Sequence, residues 1–99
     1  MSVTFQQFKS SMKEPSCPIG VSIYLQALWF DGKGDWHKAH DLVNDLADRE
    51  AARVHAYLHR KEGDIGNADY WYRRAGATCP VISLEDEWAN LVESYLSNK

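Results

Sequence analysis

Along residues 4–12 the apolar positions Phe5, Phe8 and Met12 recur at helical spacing, which predicts a short helix with one apolar face. Thr4, with Gln7 three residues on, has the form of a capping box, and Val3 and Phe8 are placed for a hydrophobic staple. Pro15 and Pro18 stop this helix and make residues 14–21 a connector. A second helix is expected from a Ser22 N-cap through the apolar run that ends in Trp29-Phe30, reaching Gly32 or Gly34. Asp35 is placed to cap a third, from Trp36 to about Ala47. Asp48 opens a fourth, ending near Lys61 with Gly63 at its C-terminus. Asp64 opens a fifth, which closes in Arg73-Arg74-Ala75 before Gly76, with cations in the last turn and glycine beyond it. Residues 77–82, with Pro80, form a link. A last helix opens at Ser83 with Asp86 as its box partner, and Leu84, Trp88, Leu91 and Tyr95 share one of its faces.

No glycine or proline lies between Trp36 and Glu62, so the third and fourth helices could run on as one. A repeat favours a break near Ala47-Asp48. The segment Gly34-Asp35-Trp36-His37-Lys38-Ala39 is echoed by Gly63-Asp64-Ile65-Gly66-Asn67-Ala68, glycine to glycine and alanine to alanine at an offset of 29 residues. In each copy a glycine ends one helix, an aspartate starts the next, and a small residue lets the two helices approach closely.

In the second copy Ala68 is followed by Tyr72 and Ala75, and Pro80 closes the unit; the first copy keeps the spacing with Ala39, Val43 and Leu46. In these residues the chain resembles the tetratricopeptide family, whose units are helix-turn-helix pairs. The resemblance covers residues 22–80 as two hairpins, with a capping helix at either end. It places the interior positions of the leading helices on Ile23, Gln26, Ala27 and Phe30, then on Ala52, His55, Ala56 and His59. The offset is shorter than the family's usual 34 or so residues, and the tryptophan-leucine-glycine-tyrosine signature is largely absent. An open superhelix and a closed bundle are both compatible with it. The stretch from Val54 to Gly76 also looks like short bacterial proteins, a likeness that carries no activity with it.

Composition changes this picture little. Ninety-nine residues, 44% hydrophobic and 25% charged, describe one ordinary globular domain, and the helical pattern and repeat make its expected class all-α with five to six helices. A net charge of −3 argues against a dedicated nucleic-acid binder. The longest apolar run is too short to cross a bilayer, and the first residues lack the form of a secretory signal. Cys17 and Cys79, each directly before a proline and so in a turn or link, read as free thiols of a cytoplasmic protein, a single bridge between two loops being the alternative.

Three groups of residues are candidates for function. His37 and His40 are three apart on the third helix, and His55 and His59 four apart on the fourth, so each pair can share a face. Antiparallel packing about Ala47-Asp48 sets His40 opposite His55 and His37 opposite His59. Three imidazoles converging there, with Asp35, Glu62 or water as a further ligand, would hold zinc or another divalent metal. Ala56 stands where a metalloprotease helix carries its glutamate. The plainer expectation is four interior histidines, each hydrogen-bonded to a neighbour.

Arg53, Tyr57 and Arg60 follow a second helical row, suited to an acidic or C-terminal peptide if the leading helices line an open groove. Tyr70 and Trp71 belong to an aromatic run that circles its helix, so one of them can stay outside as an interface anchor. No phosphate loop, dinucleotide fingerprint or nucleophile elbow is present. The leading expectation is a non-enzymatic module that binds a protein or peptide, or pairs with itself, without a cofactor. The alternative is a small metal-binding protein or metalloenzyme using His40, His55 and His59, with His37 as fourth ligand.

Overall fold

The computed structural model describes residues 3–97 and is all-helical over them. Its elements are α1 (Phe5–Ser10), a 3-10 turn (Ser11–Lys13), α2 (Ile23–Gly32), α3 (Trp36–Asn44), α4 (Arg49–Glu62), α5 (Ile65–Arg74) and α6 (Leu84–Ser97). The starts follow local chemistry. Thr4 and Gln7 form a reciprocal capping box, and Ser22, Asp35, Asp48 and Asp64 each accept a hydrogen bond from the backbone N–H three residues on. Ser83 does the same for Asp86, opening α6.

The break between α3 and α4 is real, though α3 ends at Asn44 rather than Ala47. Asp48 must sit in extended backbone to cap α4, so the residues before it leave the helix to turn the chain.

The repeated segment folds the same way twice. Gly34 and Gly63 take φ of 91° and 90°, a region in which a Cβ is strained. Asp35 N–H then bonds to Phe30 O at 2.8 Å, and Asp64 N–H to His59 O at 3.0 Å. Ala39 and Ala68 are fully buried, and α3 lies against α2 as α5 lies against α4. Two helical hairpins result, α2–α3 and α4–α5.

α6 does not stand aside as a terminal cap. It packs against both leading helices, and Leu91, Val92 and Tyr95 join Leu25, Leu28, Trp29, Val54, Tyr57 and Leu58 in the main core. Trp88 donates its indole N–H to Leu28 O at 2.9 Å, and α1 closes the same side through Phe5 and Phe8 against Trp88. The bundle is closed by its last helix. No helix among the described residues is long and apolar enough to cross a membrane.

Candidate metal centre

α4 carries His55 and His59 one turn apart, facing the seam between α3 and α5, because Ala51, Val54 and Leu58 hold its other side in the core. The small Ala39 and Ala68 let α3 and α5 approach. His40 reaches in from α3, with ring centroids 4.6 Å from His55 and 5.3 Å from His59. One nitrogen from each of His40, His55 and His59 lies within 4.8 Å of the others. His55 and His59 are buried; His40 is half-buried and forms the open side.

Two tryptophans brace the cluster. The Trp71 ring from α5 stacks on His55 with centroids 3.9 Å apart and planes 14° from parallel, and Trp36 stacks on His40 at 4.9 Å and 12°. Trp36 is fixed in turn by its indole N–H, which donates to Leu58 O at 2.8 Å. Glu62, one turn beyond His59, accepts from His59 Nδ1 at 2.7 Å. That bond fixes the tautomer and leaves Nε2 as the acceptor, engaged by one long hydrogen bond from the Asn67 amide at 3.5 Å. A carboxylate behind a histidine is the arrangement that orients imidazole toward a metal.

His55 is different. Its Nδ1 is buried and has no hydrogen-bond partner. A buried polar atom left without a hydrogen bond costs about 1–3 kcal/mol. Burial, with His40 and His59 beside it, holds the His55 imidazole down at about 4. Burial and His59 also lower His40. Both are therefore neutral at neutral pH, the form in which imidazole binds a metal.

No protein-family model, curated protein or solved structure matches this chain. The site therefore has to be read from its own chemistry.

His37 does not join the other three. It is exposed on α3, edge-on to Trp36, so that the histidine level with His59 is His40 rather than His37. Asp35 is spent on the α3 N-cap. Glu62 stands behind His59 and, with Asp64, forms an exposed group beside the same ring.

In the Arg53–Tyr57–Arg60 row, both arginines reach α6 and Tyr57 reaches α2. Glu87, fully buried on α6, accepts from Arg53 at 2.6 Å, from Arg60 at 2.7 Å and from the Tyr72 hydroxyl at 2.6 Å. The Arg53 guanidinium also lies over the Tyr72 ring, 5.0 Å from its centroid. Tyr57 is buried and donates to Asp31 at 2.9 Å. The carboxylate that an acidic peptide would have supplied comes from the chain itself. Of the aromatic pair, Trp71 turns to His55 and Tyr70 stays exposed beneath Arg74.

Glu87 and the two tryptophan braces are not legible from spacing. The N-terminal acids of α6 look like ordinary first-turn residues, and nothing local says that one of them is buried 34 residues away from its arginine.

Proposed function

We propose that this is a small helical metal-binding protein in which His40, His55 and His59 hold zinc or another divalent first-row ion. The observation that carries the reading is the unpartnered, buried Nδ1 of His55 within a group of three converging imidazoles. The three nitrogens lie within 4.8 Å of one another, close enough for one ion to reach all three with bonds of about 2.0–2.1 Å after small ring movements. Three protein ligands leave a fourth position for water or an exchangeable ligand, and the half-buried His40 marks the side from which it is reached. Histidines without thiolates suit zinc, copper, nickel or iron better than calcium or magnesium. No catalytic residue is assigned.

Elemental analysis of untagged protein purified without chelator, followed by titration with zinc and cobalt, tests the reading. One ion per chain is expected. It should be lost in a His55→Ala, His59→Ala variant that still gives a cooperative helical melt, and kept in His37→Ala. Free metal at about 100 times Kd should raise unfolding stability by about 2.7 kcal/mol. A chain that takes up no ion when zinc, copper, nickel and cobalt are offered in turn sinks the proposal.

A second reading rests on the tetratricopeptide-like hairpins and the exposed Tyr70: a module that binds a protein or peptide, or pairs with itself, through α5. Sedimentation of the wild type against Tyr70→Ser decides the self-pairing form. A monomer at every concentration, for both chains, removes it.

A further inference from the structure

On the far side of the bundle, away from the histidines, a cleft of about 350 Å³ opens between α1, the ends of α2 and α4, and the start of α6. Its walls are apolar: Phe5 and Met12 on one side, Leu84, Trp88 and Ala89 on the other. Its volume falls at the small end of the range for small-molecule sites, and its lining has their usual composition, aromatic and aliphatic walls with a few polar groups gathered at one end.

The polar end is built, not incidental. Asp31 is 2% exposed, and its two carboxylate oxygens are both taken, Oδ2 by the Tyr57 hydroxyl at 2.9 Å and Oδ1 by Lys61 Nζ at 2.9 Å. Asp31 thereby holds Lys61 at the mouth of the polar end, where the Lys61 side chain keeps 39% exposure. An ammonium has three N–H donors. One goes to Asp31, and the others remain to be shared between water and a ligand. Lys9 also lines the cleft, over the Phe5 ring at 6.0 Å from its centroid, and Glu85 lines it from α6.

Gly32 sets the shape. A Cβ there would meet Met12 Sδ at 3.0 Å and Trp88 Cζ2 at 3.2 Å, so any other residue would push apart the two side chains that form the facing walls.

We infer that this cleft binds a small aromatic or branched aliphatic carboxylic acid, its body against the apolar walls that include Trp88 and its carboxylate on Lys61, with Lys9 adding positive charge to the lining. Lysine ammonium groups with unspent donors select an anion, and the walls select an apolar body. The histidine site plays no part, so the experiment is run on metal-free protein in excess chelator, and its outcome is separate from that of the metal titration.

The probes are indole-3-acetate and phenylacetate, each paired with its uncharged amide. The readout is the indole N–H resonance of Trp88 in a two-dimensional NMR titration of the isotope-labelled full chain. Saturable shifts are expected for the acids, with Kd on the order of 1 mM or tighter, and shifts at least tenfold weaker for the amides. Ala89→Leu, which fills the cleft from an α6 position outside the fully buried core, should abolish the shift while the helical melt is unchanged. Lys61→Gln should weaken the acids toward the amides. If Lys61→Gln unfolds, Lys9→Gln supplies the charge test with no buried partner disturbed. Equal binding of acid and amide overturns the carboxylate assignment. An unmoved Trp88 resonance, or binding that survives Ala89→Leu, overturns the site.

Discussion

Glu87 shows how much one side chain can decide. It is withdrawn from water entirely and is shared by two arginines and a tyrosine hydroxyl. Such a cluster adds modestly to stability when complete, because desolvating the charges offsets their attraction. Broken, it is costly: Glu87→Ala leaves Arg53, Arg60 and Tyr72 without their acceptor. Both arginines keep some solvent, 24% and 17% of the side chain, and can recover part of their hydration. A loss of about 3 kcal/mol, the low end for a broken buried pair, is expected in a denaturant titration. A loss under half of that would mean that the arginines simply turn outward.

The tyrosines make a pH prediction of definite sign. Tyr24, bonded to Asp48, is pushed up to about 12, chiefly by that hydrogen bond. Tyr57 and Tyr72 are raised further, by burial first and then by Asp31 and Glu87 respectively, and Tyr95 is raised by burial, against the opposing charge of Arg53. A tyrosine whose pKa is higher folded than unfolded contributes stability that is complete below about pH 10, the unfolded value, and is lost as pH rises through the folded value. The fold should therefore hold to about pH 10 and fail above it, with phenolate absorbance and helical circular dichroism changing together. Smooth ionisation of Tyr24, Tyr57, Tyr72 and Tyr95 near pH 10 in a still-helical chain would contradict this.

At the scale of elements the repeated turn allows a paired test. Gly63 has φ of 90° and Gly66 lies inside α5, and neither has an atom within 4 Å of the place a Cβ would take. Space is thus equal, and only backbone conformation differs. Gly63→Ala should cost about 1–2 kcal/mol, while Gly66→Ala should stabilise by about 0.5–1 kcal/mol. Thermal melts of the two variants should move in opposite directions. These element ends were legible because their causes lie within four residues: Asp35, Asp48 and Asp64 cap the helices they precede, and Gly63 ends the one it follows. The pairing of His40 with His55 and His59 was legible for a similar reason, since helical spacing and one antiparallel turn suffice to place them. His37 escaped that reasoning. Trp36, packed flat on His40, fills the place from which His37 would have reached the others.

At the scale of the molecule, what could not be read was which face α6 would cover. Its stripe of Leu84, Trp88, Leu91 and Tyr95 promised only that it would pack somewhere. The partners that settle the place are far away in sequence, as when Tyr95 donates to Glu50 O or Trp88 to Leu28 O. Removal of α6 strips the core of Leu91, Val92 and Tyr95 and takes Glu87 away from both arginines. A chain ending at residue 82 should keep helical far-ultraviolet dichroism, lose its near-ultraviolet signal and bind a hydrophobic dye, as a molten state does. A sharp, cooperative melt of that fragment would show that the hairpins stand without it.

The same dependence has a consequence in time. On a ribosome the hairpins emerge first, with the seat for α6 open and its two arginines unclaimed. At roughly 5–20 residues per second, that seat waits on the order of seconds before Glu87 and Leu91 arrive. During that interval any passing acidic amphipathic helix is a competitor for the place, and the nascent chain is at its most exposed to chaperones and to its neighbours on the same message.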